Sequence, residues 1–333
     1  MKHANVAIFV PHNGCPHQCS FCNQRSITGQ LTQPSPQDVQ EAIQVAKASL
    51  GKKTKNAEIA FFGGSFTAVE REYMISLLSM AATSVKDGTF AGIRISTRPD
   101  AINDEILTLL KKYGVTAIEL GAQSMDDRVL SLNGRGHTTA QVEDASALIK
   151  SYGFTLGLQM MTGLYGDTAE GAIQTARKLA ALHPENVRIY PTIIMRGTEL
   201  GKKYLAGEFN TLSLDETVIL CAKLLDFFEE QGISVIRLGL HSSPELERDM
   251  LAGPWHPAFR ELCESRRMLQ NIIGFLKENN IPKGRVVITV NPKNISTAIG
   301  QCKSSLTALK ELGYDAKVLP CISVKLNNFT VQS

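Results

Sequence analysis

Short apolar runs alternate along this chain with longer stretches in which apolar residues recur every three or four positions. The short runs predict strands at 6–10, 58–62, 93–97, 117–120, 155–160, 187–190 and 234–238. The longer stretches predict helices between them. The first begins at Ser35-Pro36, a good N-cap followed by a residue tolerated at the first helical position. Val39, Ala42, Ile43 and Ala46 then share one helical face. Further helices are predicted at about 73–82, 103–113, 140–152, 168–182 and 214–231, with Gly114, Gly153 and Gly232 at three of their ends.

Strands that alternate with helices of this length argue for a parallel sheet with right-handed crossovers. Six strands make the core and 234–238 is a candidate seventh, too few for a closed eight-strand barrel. In parallel α/β folds the functional site lies beyond the carboxyl ends of the strands. Six unusual segments fall there: the cysteine run after residue 10, Gly63-Gly64-Ser65, Thr97-Arg98, Gln123-Ser124, Met161-Thr162 and Tyr190-Pro191. A different pattern occupies the tail: a strand at 285–290, a short helix at 294–299, Gly300-Gln301-Cys302-Lys303, a helix at 304–312, then short strands at 316–319 and 322–326. This order resembles a KH module, whose GxxG loop clamps a nucleic-acid backbone. Lys303 stands where the second glycine would be. The expected organisation is a core over 1–240, a helical linker over 241–282 and a small basic KH-like α/β extension over 283–333. The plain alternative for the extension is a small capping unit.

Composition sharpens this picture only slightly. The 333 residues are 43% hydrophobic and 20% charged, an ordinary globular balance. No long apolar run predicts a membrane span, and no leader pattern precedes the first strand. Seven cysteines without a secretory signal point to a reducing, cytoplasmic setting. The net charge of +3 is uneven: residues 254–333 hold 11 Lys/Arg against 5 Asp/Glu, whereas residues 1–253 hold 24 against 27. A polyanionic partner is therefore expected at the C-terminal part.

The candidate chemistry centres on Gly14-Cys15-Pro16-His17-Gln18-Cys19-Ser20-Phe21-Cys22, a C-x3-C-x2-C spacing directly after the first strand. Soft thiolates suit iron–sulfur clusters and zinc. An electron-carrier [4Fe–4S] cluster takes four cysteines, so three would leave one iron open to a small molecule. The alternative is a structural Cys3His zinc site completed by His12 or His17. Cys221, Cys263, Cys302 and Cys321 form no such pair and read as buried or incidental thiols.

This spacing, with Phe21 before the last cysteine, resembles the signature of radical S-adenosylmethionine (radical SAM) enzymes. The resemblance implies a partial (β/α)6 TIM-like barrel and a [4Fe–4S] cluster on Cys15, Cys19 and Cys22. It implies SAM on the fourth iron and an electron donor such as flavodoxin or ferredoxin. By the same resemblance Gly63, Gly64 and Ser65 face the methionine end of SAM, Arg98 and Gln123 its carboxylate and ribose, and Phe21 and Tyr190 the cluster or the adenine. Arg98-Pro99-Asp100, the run 119–124, Arg135-Gly136-His137-Thr138 and the run 190–198 further resemble the radical SAM domain of the Elongator catalytic subunit, which modifies the wobble uridine of tRNA using acetyl-CoA as well as SAM. Pro254-Trp255-His256-Pro257-Ala258-Phe259 resembles a segment shared with coproporphyrinogen-oxidase-like members.

Two departures limit what carries over. The cysteine spacing lacks the longer Elongator insertion, and about 90 residues after Leu240 are too few for an acetyltransferase domain of typical size, roughly 100–150 residues. SAM cleavage with an RNA substrate, tRNA in particular, is the leading expectation. A radical SAM enzyme on a small molecule such as a tetrapyrrole, and a non-enzymatic metal-stabilised RNA-binding protein, are the alternatives. Arg135, His137 and Arg196 read as loop residues on the open side, meeting substrate phosphate or solvent. Glu119 reads as a buried acid that orients Arg98, and His241 as a proton donor or a structural histidine.

Overall fold

The computed structural model describes residues 4–11, 19–23 and 32–332. Cys15, His12 and His17 lie outside the described residues. The elements of the first part are β1 (Ala4–Val10), α1 (Pro36–Leu50), β2 (Ala57–Gly63), α2 (Arg71–Lys86), β3 (Gly92–Thr97), α3 (Asp104–Lys112), β4 (Val115–Gln123), α4 (Asp127–Leu132), α5 (Thr139–Ser151), β5 (Thr155–Thr162), α6 (Ala169–Ala180), β6 (Asn186–Pro191), β7 (Ile194–Met195), α7 (Glu199–Leu205), α8 (Leu214–Glu230) and β8 (Ser234–Leu238). After these come α9 (Pro244–Asp249), β9 (Met250–Ala252), α10 (Phe259–Glu278), β10 (Gly284–Val290), α11 (Ile295–Ile299), α12 (Ser304–Glu311), β11 (Tyr314–Pro320) and β12 (Phe329–Gln332).

Seven strands pair in the order β1-β2-β3-β4-β5-β6-β8, every pair parallel. The sheet curls into a half-barrel, the partial TIM-like architecture expected, with β8 as the seventh strand. The predicted caps form. Ser35 accepts from the Asp38 N–H, and Asp38 reaches back to the Ser35 N–H at 2.7 Å, a reciprocal cap. One face of each strand and the inner face of each helix make the core. Ile59, Phe61, Ile93, Ile95, Ile118, Leu120, Leu156, Leu158, Val187 and Ile189 are fully buried, with Leu77, Leu78, Leu107 and Leu110 from the helices.

The described chain divides into two compact units, Met1–Leu212 with Phe228–Pro254, and Ser213–Phe227 with Trp255–Ser333. The first unit runs past residue 240, because β9 pairs antiparallel with β7. In the second unit β10 lies between β11, parallel, and β12, antiparallel. Val286, Ile288 and Val290 of β10 pack with Met268, Leu269, Ile272 and Leu276 of α10 and with Leu309 of α12.

The third strand of this small sheet is β12, not the predicted 322–326. Of the apolar residues of that segment, Ile322 and Leu326 are exposed and Val324 is only half-buried. Side-chain bonds pin the segment as a turn: Asn291 Nδ2 donates to the Val324 carbonyl at 2.8 Å, and Asn294 Nδ2 to Asn327 Oδ1 at 3.0 Å. Between α11 and α12, Gly300, Cys302 and Lys303 all have positive φ (75°, 50° and 62°). Lys303 thus adopts the left-handed backbone that a second glycine would favour.

Candidate active site

The candidate site residues gather at the carboxyl ends of β1 to β6. Cys19 is buried and Cys22 half-buried. A bond from the Cys22 N–H to the Cys19 carbonyl, 3.1 Å, closes a turn between them. That turn is anchored on both sides. The Ser20 N–H donates to the Asn133 carbonyl at 3.0 Å, Ser20 Oγ to Asn133 Oδ1 at 2.8 Å, and the Leu200 N–H to the Ser20 carbonyl at 2.7 Å. Asn133, fully buried, also donates to the carbonyls of Val129 and Tyr165. It fixes the cysteine turn against the loops after β4 and β5.

At the end of β2 the Gly64 N–H donates to the Val10 carbonyl at 2.7 Å. Gly63 has φ 111°, and a Cβ there would sit 3.0 Å from that same carbonyl oxygen. Only glycine permits this close approach of the two strand ends. Ser65 is buried with its hydroxyl engaged inside the protein, 3.0 Å from Thr97 Oγ1 and accepting from the Arg98 N–H at 3.1 Å. The hydroxyl therefore ties the end of β2 to the end of β3, while the backbone of 63–65 forms the rim.

Arg98 is buried, and its acid is Asp100, which takes Nε at 2.8 Å and Nη2 at 2.9 Å. Nη2 also donates to the Arg135 carbonyl at 2.7 Å, and Nη1 is buried without a partner. Glu119 does not orient Arg98. It accepts from Arg94 Nη1 at 3.2 Å, Arg188 Nη2 at 2.8 Å and Gln159 Nε2 at 2.9 Å. The register explains the difference. Ser96 lies opposite Glu119, so the arginine two residues earlier on that face, Arg94, reaches it, whereas Arg98 lies beyond the end of β3.

Gln123 ends β4 in the left-handed region, φ 66°, at a register shift between β4 and β5. Its Oε1 is buried without a partner. Phe21 and half-buried Tyr190 pack on one apolar cluster of Val129, Met161 and Leu164. Burial, helped by the Glu119 carboxylate and opposed by the Arg188 cation, raises the Tyr190 phenol above its usual range.

Two residues expected on open loops are buried. Arg135 Nη1 lies 3.1 Å from Cys19 Sγ, and Nη2 donates to the Gly121 carbonyl at 2.6 Å. In the sequence, Gly134 and Gly136 around Arg135 signal a tight turn, formed with φ 62° and 68°, but not the side to which the arginine turns. His137 is buried, with Nε2 donating to the Ala122 carbonyl at 3.2 Å and Nδ1 unpartnered. Arg196 and His241 are exposed, as loop residues. Asn133 carried no recognisable signal.

Burial, reinforced by Arg135, lowers the His137 pKa from 6.5 to about 4. A depressed folded pKa means that the neutral ring's contribution to stability is complete above the unfolded value and is lost as pH falls through the folded one. We expect His137→Gln to abolish a difference of about 2 kcal/mol in unfolding free energy between pH 7 and pH 5. Urea titrations of both proteins at the two pH values check this, and parallel pH profiles would refute it.

The residues at these strand ends suit a cluster and a polar ligand. Soft sulfur donors sit in a fixed turn beside a cation. Three buried groups at the ends of three successive strands, Arg98 Nη1, Gln123 Oε1 and Thr162 Oγ1, have no partner among the described residues. Buried polar atoms without partners are costly unless a ligand meets them.

Comparison with known proteins agrees with this chemistry. The family profile described as the Radical SAM superfamily matches residues 9–179, and that of the Radical SAM C-terminal domain matches 184–270. A Methanocaldococcus jannaschii protein, "Uncharacterized protein MJ0486", is 28% identical over 244 residues, 72% of this chain and 71% of that protein. The tRNA uridine(34) acetyltransferase of Dehalococcoides mccartyi is 25% identical, over 61% of this chain and 52% of its own length. Human Elongator complex protein 3 is 29% identical, over 53% and 36%. This chain thus spans about half or less of those two relatives. Among solved structures the archaeal Elp3 of Methanocaldococcus infernus shares the fold, with a TM-score of 0.58 at 18% identity, over 85% of this chain and 66% of that one.

Proposed function

The chain belongs to the radical SAM superfamily, an enzyme class that works with a [4Fe–4S] cluster and SAM, and from that premise we propose that it modifies RNA, tRNA in particular. Cys19 and Cys22, with Cys15, would hold the cluster, which would supply the electron for reductive cleavage of SAM. The buried Cys19 turn, with Arg135 against its sulfur, is the observation that carries this assignment. The chain's own groups then orient SAM. Gly63 and Gly64 present backbone at close approach, and Ser65 holds that rim in place. The free Nη1 of Arg98 reaches the SAM carboxylate, and Gln123 Oε1 accepts from a ribose hydroxyl. Phe21 and Tyr190 form the apolar wall for adenine. A buried apolar wall also keeps water from a reactive intermediate.

Two observations support RNA as the substrate: similarity to proteins named for tRNA uridine chemistry, and the basic tail. Within the tail, the extension over 283–333 presents Gln301, Cys302 and Lys303 as an exposed loop between two helices. Its backbone approaches closely at Gly300, where a Cβ would meet Ser304 and Ser305. We assign this loop to the RNA backbone.

The test is anaerobic reconstitution with iron and sulfide, then dithionite and SAM, assayed for 5′-deoxyadenosine. Product is expected. Nucleoside profiles of tRNA from a deletion strain are expected to lack one modification. An unchanged profile would remove RNA from the proposal and leave the SAM chemistry in place.

A further inference from the structure

We propose that Arg135 raises the reduction potential of the cluster through a charge-assisted hydrogen bond to the sulfur of Cys19. This rests on Cys19 being an iron ligand, as assigned above. Both side chains are 7% exposed, and Nη1 lies 3.1 Å from Sγ. The guanidinium is held in that position from several sides. Nη2 donates to the Gly121 carbonyl at 2.6 Å. The Arg135 N–H donates to the Leu130 carbonyl at 3.0 Å, and the Arg135 carbonyl accepts from Arg98 Nη2 at 2.7 Å. Asp100 clamps Arg98 in turn through two bonds.

The charge balance indicates what the cation serves. Asp100 is spent on Arg98, and among the described residues Arg135 has no carboxylate partner. Its Nε is buried and has no acceptor among the described residues. A buried cation is costly unless an anion faces it. The group its fork does face is a cysteine sulfur, which is anionic when it binds iron.

Reduction adds one negative charge, taken from an external one-electron donor, with no bond broken and no proton moved. A fixed cation and a hydrogen bond to a ligand sulfur stabilise that added charge, and so shift the couple to higher potential.

The experiment is an EPR-monitored redox titration of the anaerobically reconstituted full chain, without SAM, for wild type, Arg135→Gln and Arg135→Lys. At the poise where wild type is half reduced, the reduced-to-oxidised ratio of Arg135→Gln is expected to fall at least tenfold. For a one-electron couple that is a shift of about 59 mV to lower potential. Arg135→Lys, which keeps the charge and loses the fork, is expected to fall between. It also decides the matter where Arg135→Gln fails to take up iron. Unchanged midpoints in iron-loaded variants overturn the proposal. So does a weakened SAM affinity with an unchanged midpoint, which would place the guanidinium on the SAM carboxylate. Absence of iron in wild type would instead defeat the assignment of Cys19 itself.

Discussion

Cys19→Ala is expected to leave the chain without an iron–sulfur cluster and to reduce 5′-deoxyadenosine formation to background. The substitution removes one of the thiolates assigned to iron and leaves Arg135 Nη1, buried, without its sulfur acceptor. Iron and sulfide content, the visible absorbance of the reconstituted protein and product formation report the outcome together. Cys321→Ala is the matched control. Its free thiol lies in the second unit, away from the loop assigned to RNA, so cluster content and product are expected to equal wild type. Far-ultraviolet circular dichroism separates loss of cluster from loss of fold. A Cys19→Ala chain that kept its iron and its product would remove the cysteine turn from the site.

Glu119→Ala is expected to cost about 3–5 kcal/mol of stability, the usual price of stranding buried charges. Glu119 is 1% exposed and lies between two arginines. Arg94 retains Glu58 at 2.6 Å after the substitution, but Arg188 loses its acid and keeps the Tyr190 hydroxyl and the ring of Phe62, 4.6 Å from its guanidinium. Gly157 shows how closely the sheet is fitted around this carboxylate, because a Cβ there would meet Glu119 Cγ at 2.9 Å. Against a typical total of roughly 5–15 kcal/mol, the loss is large enough to read directly from the urea midpoint. A shift corresponding to less than about 1 kcal/mol would mean that the network relaxes or admits water.

The alternation of strands and helices was legible because burying a strand on both faces demands continuous apolar runs, and packing a helix demands a stripe. The strand-end motifs were legible for a related reason. Glycine pairs, cysteine spacing and polar residues at the end of an apolar run are local patterns, and topology alone puts the carboxyl ends of parallel strands on one rim. Gly63 is such a case: its positive φ is a property of one residue, and so it can be read from one residue.

The partners of charged residues were a different matter. From the sequence, Glu119 reads as a buried acid that orients Arg98. Which arginine meets it depends on the pairing of Ser96 with Glu119, a register that no single strand encodes. Arg135 looked like a solvent-facing loop cation, yet the turn around Gly134 and Gly136 carries it to Cys19, 116 residues earlier. In the tail, 322–326 has the composition of a strand, but amide bonds from Asn291 and Asn294 hold it as a turn, and β12 takes the place beside β10.

The sequence by itself therefore determined the parallel α/β fold, the cysteine turn as the centre of the chemistry and the rim on which the site is built, since these follow from periodicity and spacing along the chain. The tertiary structure alone decided which acid holds which arginine, and that a cation is buried against the cysteine sulfur. Those are contacts between distant segments, and their energies exist only once the sheet has set its register.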